Sequence, residues 1–343
     1  MEYRRLGRTG LEVSALGFGC GAVGGLLIKG DRKEMLRAVD RAIELGITYF
    51  DTARSYGDGA SETNLGLVLD DLKPAVVVGT KVQLAVADLG DIEQAIVASA
   101  EGSLKRLRRE QIDLFQLHNP IALERKPERA WIGVDDLAPA IRAFQKLQQQ
   151  GKIRFWGING LGETEALHQV VSSVPMASIQ CCFNLINPSA GVAMLDSFPY
   201  QDYRQLIDAA AAKQIGAIAI RVLAGGALSG SAARHLNAAR SVEPIATGQS
   251  FAEDVDQSQR FDVLVQEGYA GNLVEAAIRF AIGKAEVATA LIGISDMQQL
   301  EQAAEYSAKG PLPAEALERL RQLWDGDARS VQPARFYSSL LID

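Results

Sequence analysis

Gly46-Ile47-Thr48-Tyr49-Phe50-Asp51-Thr52-Ala53 reads as one short buried strand, rich in β-branched and aromatic residues and closed by a lone carboxylate. A helical pattern over 32–45 precedes it, and Gly46 sits where the turn from helix to strand wants φ > 0. The same unit recurs outward in both directions. Candidate strands fall at 15–19, 48–51, 76–80, 114–117, 153–157, 178–181, 217–220 and 289–292. Candidate helices fall between and after them at 32–45, 61–69, 91–107, 135–150, 163–171, 200–213, 272–283 and 296–308. Crossover helices imply parallel strands, and eight units favour a closed (β/α)8 TIM barrel over an open sheet. Tyr3–Leu6 and Glu12–Ala15 around Gly7-Arg8-Thr9-Gly10 predict an N-terminal β-hairpin. A further helix over 252–267 and an extra C-terminal helix or tail complete the outline, with 326–343 read as tail.

The 343 residues would allow two domains on length alone, but a barrel uses them all as one domain spanning 1–343. Charged residues are 22% and hydrophobic residues 48%, which excludes wholesale disorder. A formal charge of −7 argues against a general nucleic-acid or anionic-membrane surface. No apolar run is long enough to span a bilayer, and the apolar stretch 14–28 is too rich in glycine for a signal core. Cys20, Cys181 and Cys182 form no disulfide framework and no zinc spacing, so a reducing, cytoplasmic setting is expected and no metal.

Gly19-Cys20-Gly21-Ala22-Val23-Gly24 matches G-x-G-x-x-G, but no helical pattern follows until after Gly30. A dinucleotide fingerprint should open directly into its helix, so this is read as the first loop of the barrel. Four ionisable residues lie at or just past strand ends: Asp51, Tyr56, Lys81 and His118. Singly, each has a plainer reading: a turn carboxylate, a loop aromatic, an exposed lysine, a loop histidine. His168 and His235 keep that plainer reading. Jointly, on neighbouring barrel strands, the four converge on one pocket. Their chemistry suits proton transfer from a phenol during carbonyl reduction. Lys81 would lower the Tyr56 pKa, Asp51 would keep Lys81 charged, and His118 would orient the carbonyl. The shortage of histidine (3) argues against a metal hydrolase.

These residues resemble the aldo-keto reductase superfamily. The resemblance rests on 46–53 with Tyr56-Gly57 and Ser61-Glu62, on Thr80-Lys81, on Gln116-Leu117-His118-Asn119-Pro120, and on the opening hairpin. It runs from the hairpin to about residue 308. It implies a catalytic tetrad of Asp51, Tyr56, Lys81 and His118, with Tyr56 as general acid in reduction. It also implies a nicotinamide cofactor, NADPH by family habit and NADH as the alternative. Gln180 matches the residue that binds the nicotinamide carboxamide, and Asn159 stands where the family has serine. After the seventh strand, Ile220-Arg221-Val222-Leu223 replaces the usual Tyr-Ser-Pro-Leu. Ile220 packs without an aromatic face, Arg221 can clamp a pyrophosphate, and Leu223 and Gly225 continue the loop over the cofactor. Gly293, Ser295 and Gln299 would meet its far end, with Ser295 where arginine is common. Pocket walls are expected from Val23, Leu26, Trp131, Phe336 and Tyr337, Trp131 as substrate contact. The expected substrate is a small-molecule carbonyl or sugar. The reverse reaction, an NAD-dependent sugar or alcohol dehydrogenase, and a nicotinamide-binding sensor with slow turnover are the rivals. Oligomeric state stays open.

Overall fold

The computed structural model describes residues 1–330 of the chain. Eight strands close into a barrel, each paired in parallel with its sequence neighbours. They are β1 (Leu16–Gly19), β2 (Tyr49–Asp51), β3 (Val77–Val82), β4 (Ile112–Leu117), β5 (Ile153–Asn159), β6 (Ser178–Cys182), β7 (Gly216–Ile220) and β8 (Val287–Gly293). The helices that follow them are α1 (Arg32–Glu44), α2 (Ala60–Leu72), α3 (Ile92–Leu107), α4 (Leu137–Gln149), α5 (Thr164–Ser173), α6 (Leu206–Ala212), α7 (Leu273–Gly283) and α8 (Met297–Ala308). Four of their starts, those of α1, α3, α7 and α8, are set by capping side chains that satisfy otherwise orphaned N–H groups. Asp31 accepts from the Glu34 N–H at 2.8 Å, and Asp91, Asn272 and Asp296 do the same for α3, α7 and α8.

Four expectations shift. α6 is short, because 201–204 run as loop with Arg204 and Gln205 both at positive φ. The 252–267 segment is broken into Phe251–Ser258, a 3-10 turn and Val263–Gln266. The predicted tail begins later, since a last helix, Ala314–Ser330, carries the chain through 326–330. Its Trp324 is buried and donates to the Leu185 carbonyl at 2.9 Å. Phe336 and Tyr337 lie outside the described residues. Finally, four residues of helix at Leu26–Lys29 follow the first loop.

The barrel has two cores. Helix faces and outward strand residues form the large one. Inside, Tyr49, Leu114, Ile218 and Leu291 meet Leu6, Leu11 and Val13 of the hairpin. The hairpin, Tyr3–Arg5 with Glu12–Ser14, therefore plugs the N-terminal end of the barrel. Arg4 fastens it by donating to the carbonyls of Ile282 (2.7 Å) and Val287 (2.8 Å). With that end shut, only the C-terminal end is open to ligands. Leu6 is fully buried, so Leu6→Ala should cost about 2–5 kcal/mol of stability in urea unfolding. A loss under about 1 kcal/mol would contradict the plug.

Candidate active site

Alternate residues of each strand face the barrel interior. Tyr49 and Asp51 are inward neighbours on β2, and Asp51 pairs in register with Gly79 of β3. Lys81, two residues on, pairs with Gln116 of β4. Asp51 and Lys81 are thus the last inward positions of β2 and β3, and His118 follows one residue past the end of β4. Tyr56 arrives from the loop after β2, where Gly57, Asp58 and Gly59 all take positive φ before α2 begins. That left-handed turn folds the phenol back over the barrel mouth.

The four meet. The Lys81 ammonium is buried, ion-paired with the Asp51 carboxylate, and donates to the Thr52 carbonyl (2.9 Å) and the Tyr56 hydroxyl (3.3 Å). The Tyr56 and His118 rings stand edge to face with centroids 5.9 Å apart. His118 is held by its backbone, whose N–H donates to Val82 O at 2.7 Å and whose carbonyl accepts from Asn159 Nδ2 at 3.2 Å.

The electrostatics correct one expectation. Burial raises the Tyr56 pKa, and the nearby Lys81 charge only partly offsets this. Tyr56 is therefore a firmly protonated phenol whose proton Lys81 makes easier to give up. Burial disfavours the Lys81 charge, but Asp51 and Tyr56 outweigh that and raise its pKa. Burial also lifts Asp51 above the usual carboxylate range against the pull of Lys81. Burial, with the Lys81 charge adding to it, lowers His118 to about 3, so its imidazole is neutral.

A cavity of about 620 Å³ opens from this cluster across the C-terminal face. All the proposed cofactor contacts line it: Asn159, Gln180, Ile220, Arg221, Leu223, Gly225, Gly293, Ser295 and Gln299. Two features suit a nicotinamide dinucleotide. Asn159 Oδ1 is buried with no hydrogen-bond partner among the described residues, as an acceptor awaiting an amide would be. Arg221 is half-buried, forms no ion pair among the described residues, and donates only to the Glu243 carbonyl at 3.2 Å. An unpaired guanidinium in a cavity suits an anion.

Other calls move. Gln180 does line the cavity, but its Nε2 donates to Asp51 Oδ2 (2.8 Å) and Gln116 Oε1 (3.1 Å), leaving its oxygen as the remaining polar atom. Ser295 and Gln299 are turned onto each other, the Ser295 N–H donating to Gln299 Oε1 at 3.0 Å. Val23 lines the cavity, whereas Leu26 is buried in the helix-side core. Trp131 is outside the cavity wall. Its ring lies under Lys126 (Nζ 5.2 Å from the centroid) and Arg129 (5.9 Å), on a loop tied to Glu163. Arg234, and His235, which has only a plain loop reading in the sequence, come from the loop after β7 to line the cavity. Arg234 donates to the Val23, Gly225 and Ala239 carbonyls, and His235 stands 3.6 Å from Asp296. Their sequence neighbourhood is polar and irregular, and of the three Arg234 bonds only the one to Val23 is long-range in sequence. Among the described residues no cluster suited to a metal ion occurs, and no helix is long and apolar enough to cross a membrane.

A closed parallel barrel with a carboxylate–ammonium–phenol chain at its C-terminal mouth has its ionisable cluster at the face where enzymes of this fold build their active sites. The family is then settled by comparison. Residues 15–325 match the model of the aldo/keto reductase family, and the chain belongs to that family. It is 26% identical over 310 residues to "L-galactose dehydrogenase" of Arabidopsis thaliana, covering 88% of this chain and 86% of that one. It is 27% identical over 318 residues to "Aldo-keto reductase YhdN" of Bacillus subtilis, covering 90% and 89%. An aldo-keto reductase from Klebsiella pneumoniae, solved in complex with NADPH, superposes with a TM-score of 0.68 at 21% identity, covering 94% of this chain and 95% of that one.

His118 gives a pH test of this geometry. Its ordinary pKa of 6.5 falls to about 3 in the folded chain. Between those values the unfolded chain binds a proton there that the folded chain does not, so stability is lost as pH falls through that window. His118→Gln should remove this component, up to about 1.4 kcal/mol per pH unit between pH 6 and pH 4. Equal pH slopes for the two proteins in urea unfolding would contradict the buried neutral imidazole.

Proposed function

We propose that this chain is a nicotinamide-dependent oxidoreductase that reduces an aldehyde or ketone to an alcohol, with Tyr56 as general acid. The observation that carries the reading is the buried Lys81 ammonium bonded at once to Asp51 and Tyr56. Asn159 and Gln180 would hold the nicotinamide end of a cofactor, with Ile220 packing against it and Gly293 at the far end. Arg221, with Leu223 and Gly225, would hold the phosphates, and Ser295 and Gln299 the far end. NADPH is the cofactor favoured by family habit, and NADH is the alternative. When bound, the reduced cofactor supplies a hydride to the carbonyl carbon.

The protein's own groups do the rest. His118, neutral, donates a hydrogen bond to the carbonyl oxygen and fixes its direction. Tyr56 transfers its proton to that oxygen as the alkoxide charge develops. The phenolate left behind is stabilised by the Lys81 ammonium, which Asp51 keeps charged. Run in reverse, the phenolate takes the proton from an alcohol. The reverse reading, a sugar or alcohol dehydrogenase using NAD, draws on Ser295 and Gln299, which bring no cation to the far end of the cavity. Three buried free thiols support a reducing, cytoplasmic setting.

The test is turnover of an aldehyde and sugar panel with NADPH and NADH. Tyr56→Phe should lower kcat by about 10²- to 10⁴-fold. Cofactor affinity, read by fluorescence quenching, should stay within about 2-fold, since one removed hydroxyl outside the phosphate cradle carries little of it. Undiminished turnover would overturn the assignment of Tyr56.

A further inference from the structure

Beneath the four residues lies a second polar layer inside the barrel, and of its members only Gln180 has a part in the function proposed so far. The Tyr49 side chain is fully buried, and its hydroxyl donates to Asp51 Oδ2 at 3.2 Å. Gln180 Nε2 donates to the same oxygen at 2.8 Å and is itself held by Gln116 Oε1 at 3.1 Å. Gln116 Nε2 in turn donates to Ser178 Oγ at 3.2 Å. Asp51 thus divides its carboxylate. Oδ1 serves Lys81, and Oδ2 accepts two neutral donors from below.

The backbone makes room for this layer. A side chain at Gly79, in register with Asp51, would collide with the Tyr49 hydroxyl and come within 3.3 Å of Asp51 Oδ2. A side chain at Gly157 would collide with Ser178. Two inward strand positions are therefore vacated where these hydroxyls sit. A phenol in the middle of an otherwise apolar cluster has a desolvation cost that packing alone would avoid with phenylalanine.

We infer that Tyr49 is a positioning residue: its hydroxyl, with the Gln116–Gln180 pair, holds Asp51 ionised and turned so that Oδ1 faces Lys81. The inference rests on the proposed role of Asp51 and extends it to Tyr49, which touches neither substrate nor cofactor. A buried carboxylate is driven toward its neutral form, and donors to the charged form oppose this. Burial also pushes the Tyr49 phenol well above its ordinary range, with the Asp51 charge adding to the shift, so it stays protonated and can only donate. The ionisable groups facing Asp51 are Lys81 and Tyr56 above, Tyr49 below and Cys20 from the loop after β1. His118 and Arg221 act on it indirectly, through Lys81 and Tyr56, and Asp113 through Tyr49.

Tyr49→Phe removes one oxygen and keeps the ring, and it has two readouts. The first needs no turnover. Asp51 has a raised pKa in the folded chain, so the folded state takes up its proton before the unfolded state does as pH falls. Its burdensome charge is therefore a neutral-pH liability that acid relieves. Loss of the Tyr49 donor increases the liability. The destabilisation by Tyr49→Phe should be largest near pH 7 and shrink several-fold by pH 4, read by urea unfolding. A packing role alone gives the same destabilisation at both pH values. The second readout is the acid limb of kcat with an aldehyde and NADPH, which should move up by about one pH unit while KM for NADPH changes less than about 2-fold. A pH-independent destabilisation together with an unmoved acid limb overturns the inference. If the wild-type chain shows no turnover of any aldehyde or sugar tried, the reading of the site as a reductase fails, and the unfolding experiment still decides whether Tyr49 holds Asp51 charged.

Discussion

A lysine ammonium with no exposed side-chain surface must have its charge met inside the protein, and Asp51 meets it. Much of the site follows from that one pair. It fixes the ends of β2 and β3 against each other, because the two residues sit one inward step apart across the register. It places a positive charge 3.3 Å from the Tyr56 oxygen, where a phenolate can be stabilised without water. It also helps to keep His118 neutral, since a second cation beside Lys81 is unfavourable. Removing either partner would leave an uncompensated charge in the core, which typically costs 3–5 kcal/mol.

The barrel supports the pair by geometry. A strand alternates its side chains, so each column that enters the barrel as Tyr49, Gly79 or Gln116 leaves it as Asp51, Lys81 or His118. The lower members are packed or hydrogen-bonded; of the upper ones Asp51 and His118 line the cavity, and Lys81 is buried against Asp51 and Tyr56. The hairpin closes the other end with Leu6 and Val13, so the polar column has one exit. The long loop after β7 then crosses that exit, with the Ala239 N–H donating to Ala22 O and Asn237 Nδ2 to Ser295 O, both within 3 Å.

How much of this is legible in the sequence depends on the range of the interactions. The strands and the tetrad are local signals: an apolar run, a period of two, an ionisable residue at its end. Each of Asp51, Lys81 and His118 is found from its own strand, and Tyr56 from the glycine turn beside it. Trp131 shows the limit. Its position in a loop above the barrel suggests a pocket wall, but Lys126 and Arg129 cover its ring and the loop is drawn to Glu163 instead. Arg234 and His235 show the converse: nothing local marks them, and the Val23 carbonyl, 211 residues away, helps to bring Arg234 into place. The sign of the Tyr56 shift was also beyond reach, because it is a balance between burial and Lys81 that only coordinates weigh.

The central claim is that Lys81 and Tyr56 act as one unit in moving a single proton. A double-mutant cycle on kcat tests it most directly, using Lys81→Met, Tyr56→Phe and both together. Residues acting as a unit are strongly non-additive. The account predicts that the double variant is no slower than the slower single variant, within about 3-fold. Losses that multiply, each change slowing the enzyme independently of the other, would contradict it.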